Sequence, residues 1–284
     1  MKKQDIQALF IDVGGSNTKV YKLVSKEHIE LGESKKTPKS AERLAKLISD
    51  IAHKYCAMRI VIGLPGPIFG KESEVYMPPL GYSIDLLKLK NDLKSMNTIC
   101  EIYNDCALMH KLAKDLPKKE IIRVTDTSET QVASICITIG TSFGINGITC
   151  SGSSISLEMA HIPWYCLVPE KNKIAKSMDY YAGKVCDVIN SKYLLACLQE
   201  CKNTDDLKEM GQYFCEALLS SAQIAATLLG IKKFELIVVT GIYSQVEKLI
   251  REVDIEVIAR KNAKNLTKVS ICPQRHLDQF SSYD

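Results

Sequence analysis

The chain has 284 residues, of which 46% are hydrophobic and 25% charged, so it can form one large or two small globular domains. Its net charge of +4 comes without a long basic run or a basic-aromatic stripe, which argues against nucleic-acid binding. No run of about 18 apolar residues occurs, and MKKQDIQALF lacks the apolar core of a signal peptide, so we expect a cytoplasmic protein without a membrane span.

The 11 cysteines are odd in number and form no CxxC pair. This pattern argues against a disulfide framework and against a structural zinc site. We expect most of the cysteines to be small buried hydrophobic residues.

Short apolar runs alternate with amphipathic stretches in the first half of the chain. The predicted elements are strands at Ala8–Val13, Thr18–Val24 and His28–Leu31, a helix at Ser40–Tyr55 capped by Ser40, a strand at Arg59–Leu64, a helix at Ile84–Met96, a strand at Ile99–Tyr103 and a helix at Cys106–Lys114.

The second half also opens with a strand, a glycine-rich turn and a strand, which is a weak echo of the first half. Its predicted elements are strands at Ala133–Ile139 and Ile145–Thr149, a helix at Tyr213–Leu229 stopped by Gly230, a strand at Leu236–Val239, a short helix capped by Ser244 and ending at Val253, and a final strand at Ile255–Ile258.

This alternation predicts an α/β fold of two domains with mixed sheets, residues 1–115 and 116–284. The boundary is expected in the loop-rich stretch between Asp115 and Val132. Ligands of such sheets lie beyond the strand ends, where the glycines of this chain are found.

The first glycine turn, DVGGSNTK at residues 12–19, has the composition of a phosphate-binding hairpin. Glycines let backbone N–H groups approach a phosphate closely, Ser16 adds a hydroxyl and Lys19 adds charge. Asp12 is placed to hold Mg²⁺ through water. The residues expected to bind the cofactor are Asp12, Gly14, Gly15, Ser16, Asn17 and Lys19. The alternative is a plain hairpin in which the glycines only permit positive φ.

A second turn, from Gly140 to Gly144, repeats this chemistry in the other half of the chain. Two phosphate turns, one in each domain, would hold a triphosphate from both sides. For Gly140 and Thr141 the alternative is again an ordinary tight turn.

Asn104 and Asp105 follow a buried strand and precede a helix. An aspartate there can be a general base that takes a hydroxyl proton as the oxygen attacks a phosphoryl group. Asp and Asn are also ordinary helix N-caps, which is the alternative. Glu158 and His161 could bind several sugar hydroxyls, or they could be a surface glutamate and a histidine packed near Trp164.

Seven motifs occur in an order that resembles the ROK and bacterial glucokinase family, within the hexokinase–actin–Hsp70 superfamily. In chain order they are DVGGSNTK, IGLPGPI, YNDCA, ITIGTSFGING, EMAHIP, DYYAGK and IVVTG, and they span residues ~8 to ~245. The resemblance implies two actin-like (ribonuclease H-like) domains, with mixed sheets flanked by helices, that close over a ligand cleft.

The resemblance also implies roles for single residues. Asp105 matches the catalytic base that deprotonates the sugar 6-hydroxyl. Ligands of the sugar would be Asn104, Asp105, Glu158, His161 and Asp179. The phosphate loops would be Asp12 with Gly14, Gly15 and Ser16, then Gly140 with Thr141, and Gly241 matches the adenosine motif.

Several positions depart from the family pattern. The CxCGxxGC zinc cluster is replaced by PEKNKIAKSM, so no zinc is expected and His161 is left to contact sugar. The second loop reads GTSFG, where Ser142 adds a side chain, and Ile242 stands where a second glycine is usual. The segment before the base reads PPLGYS, and the helix-turn-helix of ROK repressors is missing.

The leading hypothesis is therefore a glucokinase-like hexose kinase that uses ATP and Mg²⁺. The alternatives are a non-catalytic sensor of sugar or nucleotide, and a kinase that uses polyphosphate. The sequence does not name the sugar, and a homodimer, common among soluble enzymes, remains open.

Overall fold

The computed structural model describes residues 8–25, 28–68, 73–95, 97–115, 119–124, 132–140, 143–157 and 191–273. The chain divides into two compact units, with the division between Asp115 and Leu116. Each unit is an α/β structure with its own mixed sheet and its own hydrophobic core, as the alternation of strands and helices predicts.

The first unit contains seven strands within the described residues: β1 (Ala8–Val13), β2 (Asn17–Ser25), β3 (His28–Lys36), β4 (Arg59–Leu64), β5 (Glu74–Met77), β6 (Tyr82–Asp85) and β7 (Ile99–Asn104). Five of them form a sheet in the order β3–β2–β1–β4–β7. The first three strands are an antiparallel meander, while β4 and β7 run parallel to β1. The strands β5 and β6 form a separate hairpin, which the sequence patterns did not predict.

Three helices complete this unit: α1 (Ala41–Tyr55), α2 (Leu86–Lys94) and α3 (Asp105–Asp115). Ser40 caps α1 as predicted, since its side chain accepts a hydrogen bond from the Arg43 amide. The helix predicted at Ile84–Met96 is present as α2, but it begins two residues later than predicted. Ile84 belongs to β6, and Asp85 ends that strand and caps α2 by accepting from the Lys88 amide at 2.8 Å.

The two faces of the first sheet have different neighbours. Alternate residues of β1 and β4 pack into one core with α1 and α2; these are Leu9, Ile11, Val13, Ile60, Ile62 and Leu64. The residues between them point to the opposite face, because successive side chains of a strand alternate. Helix α3 covers that second face and packs against β1, β4 and β7.

The second unit has six strands in its described part: β8 (Lys119–Arg123), β9 (Ala133–Ile139), β10 (Phe143–Ile148), β11 (Ser154–Leu157), β12 (Phe234–Thr240) and β13 (Leu266–Pro273). They form one sheet in the order β11–β10–β9–β12–β13–β8. The central strands β9, β12 and β13 are parallel, and antiparallel strands flank them on both sides.

Four helices of this unit are described: α4 (Ser191–Glu200), α5 (Thr204–Leu228), α6 (Tyr243–Arg251) and α7 (Ile255–Asn262). The strand predicted at Ile255–Ile258 is instead the start of α7. Asp254 caps this helix by accepting from the Val257 amide at 3.1 Å. Its residues Ile255, Ile258 and Ala259 are buried at helical spacing, while Val257 is exposed.

Helix α5 begins nine residues before the predicted start, because Asn203 caps it by accepting from the Asp206 amide at 2.9 Å. It ends at Leu228, one residue before the predicted end, and Gly230 follows its C-cap with a φ of +66°, which glycine adopts readily. Leu228, the last residue of the helix, is exposed although it is apolar. Ser244 is not the cap of α6, since the helix has already begun at Tyr243.

No helix among the described residues is both long and apolar enough to cross a membrane.

An ion-pair cluster joins β8 to α6. Glu247 accepts hydrogen bonds from Lys119 Nζ at 2.6 Å and from Arg251 Nε at 2.7 Å, and these lower its pKa to about 2. The ordinary value is 4.5. A folded-state pKa below the unfolded value stabilises the fold above pH 4.5, and this contribution is lost as the pH falls toward 2.

We therefore expect Glu247→Gln to lower the free energy of unfolding at pH 6 by about 1 kcal/mol, a modest value because Lys119 and Arg251 are half exposed. At pH 2 to 3 the difference from the wild type should shrink toward zero. Urea denaturation at both pH values measures it. Glu256→Gln, at an exposed pair with Arg260, is the control and should show little effect at either pH. An equal loss at both pH values for Glu247→Gln would contradict the prediction.

Candidate functional site

The carboxyl ends of three parallel strands meet at one edge of the first sheet. Asp12 on β1 lies beside Gly63 on β4, which lies beside Tyr103 on β7. Asn104 ends β7, and Asp105 is the first residue of α3. Polar residues at this edge are therefore adjacent across the sheet, although they are far apart in sequence.

Asp12 and Asp105 lie on the same face of this sheet. A Cβ atom at Gly63 would lie 2.8 Å from Leu108 Cδ2 and 3.1 Å from Asp105 Cα, so the missing side chain of Gly63 points at the start of α3. Asp12 is the neighbour of Gly63 in a parallel pair and shares its face. Both carboxylates are half-buried.

The buried side chain of Asn104 joins two segments of this edge. Its Nδ2 donates to the carbonyl of Gly66 at 3.0 Å, and its Oδ1 accepts from the Cys106 amide at 2.9 Å. The Asp105 carboxylate accepts from the same amide at 2.8 Å. Asn104 therefore fixes the Pro65–Gly66 turn relative to the first turn of α3, which carries Asp105.

A cluster of charged residues around Tyr103 joins β7 to β4 and to α3. The Tyr103 hydroxyl donates to Glu101 Oε2 at 2.6 Å, Arg59 pairs with Glu101 Oε1 at 2.6 Å, and Lys111 Nζ lies 3.8 Å from the centre of the Tyr103 ring. Burial and the bond to Glu101 raise the pKa of Tyr103 to about 12. The Tyr103 side chain is thus held in place, in its protonated form, next to the carboxyl edge of the first sheet.

The first glycine turn is a tight hairpin between β1 and β2. The Gly14 amide donates to the Asn17 carbonyl at 3.0 Å, so Gly15 and Ser16 form the exposed tip. Neither Gly14 nor Gly15 has a positive φ. A need for positive φ therefore does not explain why glycine occupies these two positions. Lys19 stands directly opposite Asp12 across the β1–β2 pair.

Both glycines are closely approached by other atoms. A Cβ atom at Gly14 would lie 3.0 Å from the Asn17 carbonyl oxygen, and one at Gly15 would lie 3.2 Å from Pro79 Cβ. Pro79 belongs to the loop between β5 and β6, within the PPLGYS segment. This loop therefore lies against the tip of the turn.

Three further residues of this edge were missed by sequence reasoning: Thr37, Gly63 and Tyr82. The Thr37 hydroxyl donates to the Gly14 carbonyl at 2.7 Å, and the Tyr82 hydroxyl donates to the Pro38 carbonyl at 2.7 Å. Gly63 lies within the IGLPGPI motif and Tyr82 within the PPLGYS segment, but neither residue was singled out there. Thr37 follows the end of β3 and belongs to no motif.

In the second unit, Gly140 and Gly241 follow neighbouring parallel strands. Ile139 ends β9 and lies beside Thr240, which ends β12, so the two glycines leave the sheet side by side. The buried Thr240 hydroxyl accepts from the Ile242 amide at 3.2 Å. The Ile242 side chain packs against the hydrophobic core of this unit.

Four predicted site residues, Thr141, Glu158, His161 and Asp179, lie outside the described residues, as does Ser142 of the second loop. Within the described part of the chain, no group of three or more His, Cys, Asp and Glu side chains is arranged to hold a metal ion.

No protein-family profile matches the chain, and no curated protein is significantly similar to it in sequence. Solved structures do match. A glucokinase from an Antarctic psychrotroph has 16% identity and a TM-score of 0.59, with 96% of each chain covered. A ROK family glucokinase from Streptomyces griseus, in complex with glucose and AMPPNP, has 15% identity and a TM-score of 0.59, with 95% of this chain and 96% of that one covered.

An inorganic polyphosphate/ATP-glucomannokinase from Arthrobacter sp. has 14% identity and a TM-score of 0.55, with 96% of this chain and 95% of that one covered. At these identities the similarity establishes the fold over nearly the whole length. The chain therefore has the two-domain α/β fold of the ROK family sugar kinases, as its seven ordered motifs imply.

Proposed function

We propose that this protein is a sugar kinase that transfers a phosphoryl group to a hydroxyl of a hexose, with Asp105 as the general base. The observation that carries this proposal is the shared face of Asp12 and Asp105 at the carboxyl edge of the first sheet. One carboxylate can accept the hydroxyl proton there while the other lies beside the phosphate turn.

The environment of Asp105 suits a base. The Cys106 amide, at the start of α3, orients its carboxylate. Asn104 holds the neighbouring Pro65–Gly66 turn in place. A base must be held within hydrogen-bond reach of the hydroxyl that it deprotonates, and a carboxylate with one oxygen bound to the backbone is fixed in direction. The remaining sugar ligands that we propose are Asn104, Glu158, His161 and Asp179.

For the donor we propose ATP, with its phosphates at the two glycine turns and Gly241 near the adenosine. Because the Gly14 amide is used within the first turn, the amides of Gly15 and Ser16 at the tip are the proposed phosphate ligands there, with Asn17 and Lys19 beside them. Gly140 and Thr141 are the proposed ligands in the second turn.

Mg²⁺ fits Asp12. Magnesium in kinases is held by one or two carboxylates together with phosphate oxygens and water rather than by a full set of protein ligands. Asp12 supplies one half-buried carboxylate at the strand end next to the phosphate turn. When bound, the ion would neutralise phosphate charge. A kinase that draws on cellular ATP would act in the cytoplasm, which is the location that we propose.

A polyphosphate donor is the second candidate, and a specific observation favours testing it. Ile242 replaces the usual second glycine of the adenosine motif, and its side chain packs into the core of the second unit. One structural neighbour is named as a polyphosphate/ATP-glucomannokinase. A site that holds phosphates firmly but adenosine weakly would accept both donors.

A coupled assay on the purified protein tests the proposal. Glucose, mannose, fructose and N-acetylmannosamine are each offered with Mg²⁺ and either ATP or polyphosphate. ADP release, or sugar phosphate detected directly for polyphosphate, identifies the acceptor and the donor. We expect turnover with at least one pair. Tight sugar binding by calorimetry with no turnover for any pair would favour the sensor and overturn the kinase.

A further inference from the structure

Thr37, which is not among the proposed ligands, supports the phosphate turn through direct hydrogen bonds. Thr37, just after β3, contacts the turn at two points: its amide donates to the Ser16 carbonyl at 3.0 Å, and its hydroxyl donates to the Gly14 carbonyl at 2.7 Å. Thr37 therefore holds the carbonyl groups on both sides of Gly15.

The direction of the hydrogen bonds can be assigned. Thr37 Oγ1 lies 3.1 Å from Thr18 Oγ1, and both residues are buried. A hydroxyl has one hydrogen, and that of Thr37 is given to Gly14. Thr18 must then donate to Thr37, which makes a chain from Thr18 through Thr37 to the turn.

The hairpin of β5 and β6 fixes the same corner. The Tyr82 hydroxyl donates to the carbonyl of Pro38, the residue after Thr37, and Pro79 lies against Gly15. The same hairpin meets the other side of the site, since a Cβ atom at Gly66 would collide with the Tyr76 carbonyl and Val75. The hairpin thus contacts both the phosphate turn and the turn held by Asn104.

We propose that Thr37 and Tyr82 are positioning residues for the donor phosphates. Thr37 fixes the carbonyls of Gly14 and Ser16, and Tyr82 fixes the backbone just after Thr37. The Gly15 amide, which shares a planar peptide group with the Gly14 carbonyl, and the Ser16 amide, which lies between the two fixed peptide groups, are therefore already oriented before the donor binds. An exposed tip must otherwise be ordered at the moment of binding, at a cost in affinity. This inference rests on the phosphate-binding role proposed for the turn.

The test is a set of variants titrated by calorimetry with Mg²⁺-ATP and, separately, with inorganic tripolyphosphate, which reports the phosphate contacts alone. Thr37→Val should weaken both by about tenfold, the equivalent of one ordinary hydrogen bond. Thr37→Ser keeps the hydroxyl and should bind nearly as the wild type does. In turnover, the KM for the donor should rise while the KM for the sugar changes little.

The chain offers a matched control at the opposite end of the same sheet. Thr98 is buried, and its hydroxyl donates to the Ala57 carbonyl at 2.9 Å. Thr98→Val loses the same kind of bond and should lower the melting temperature without changing donor affinity. Equal affinity of Thr37→Val and the wild type, or an equal loss in Thr98→Val, would overturn the inference.

Tyr82→Phe provides a second route if Thr37→Val does not fold. It should weaken tripolyphosphate binding by about threefold to tenfold, whereas Tyr76→Phe, on the exposed face of the same hairpin, should not. Unchanged binding in Tyr82→Phe would count against the proposal, as would a wild type that binds neither probe. A wild type that binds both probes but phosphorylates no sugar would overturn the kinase and leave this inference standing.

Discussion

Asp105→Asn should lower kcat by about 10²–10⁴ while the affinity for the sugar is largely kept. The amide has nearly the shape of the carboxylate, and its oxygen can still accept from the Cys106 amide, so the start of α3 should remain in place. What is lost is the ability to take the hydroxyl proton. Steady-state kinetics with the best sugar and donor, together with calorimetric titration of the sugar, separate the two effects.

Asp85→Asn is the matched control for that variant. Asp85 is also an aspartate at the start of a helix, and it accepts from the Lys88 amide at 2.8 Å. If the importance of Asp105 were only that of an N-cap, both variants would lose a similar small amount of stability and keep their kcat. A wild-type kcat in Asp105→Asn would refute the assignment of the base.

Gly63→Ala should reduce kcat by about tenfold to a hundredfold, through displacement of Asp105 rather than through loss of a chemical group. The added Cβ atom would lie 3.1 Å from both Asp105 Cα and Leu108 Cβ, and these atoms belong to the helix backbone and its first side-chain carbon. The start of α3 must therefore move by a few tenths of an ångström. Overpacking of this kind typically also costs about 1–3 kcal/mol of stability.

Gly32→Ala is the control for crowding alone. Its Cβ atom would lie 3.1 Å from the Tyr55 hydroxyl and 3.3 Å from the Val20 carbonyl, in the same sheet but on β3. Urea denaturation gives the stability of both variants, and kinetics gives kcat. We expect both variants to be destabilised, Gly32→Ala less because its closest neighbour is the end of a side chain, and a loss of kcat only for Gly63→Ala. A similar kcat in the two variants would show that the position of α3 does not control the reaction.

Local patterns in the sequence were sufficient to predict the bounds of several buried strands and the polar or glycine residues that follow them. The strands at Ala8–Val13, Arg59–Leu64 and Ala133–Ile139 have the predicted bounds. Such strands are covered on both faces, so they read as continuous apolar runs that stop abruptly at glycine or polar residues. The same stops indicated the turn at Gly14 and the pair Asn104–Asp105.

Predictions from local patterns failed where a short segment is compatible with more than one kind of secondary structure. Ile255–Ile258 is rich in β-branched residues, yet it is helical because Asp254 caps it and Ile255, Ile258 and Ala259 are buried together. The short strands β5 and β6 are stable only as a pair that packs beside α1 and α2. Their existence depends on partners that are distant in sequence.

The sequence by itself thus indicated the residues of the first unit that we propose to carry the chemistry: the glycine turn at Gly14, the aspartate that follows β7, and a motif order that resembles a sugar-kinase family. Only the tertiary structure decided that Asp12 and Asp105 share a face, because that depends on the register of β1 beside β4 and on the absence of a side chain at Gly63. It also decided that Thr37 bonds the turn and that Tyr82 bonds the residue after Thr37. A hydrogen bond to a backbone carbonyl does not depend on the type of residue that carries the carbonyl, so it leaves no pattern in the sequence.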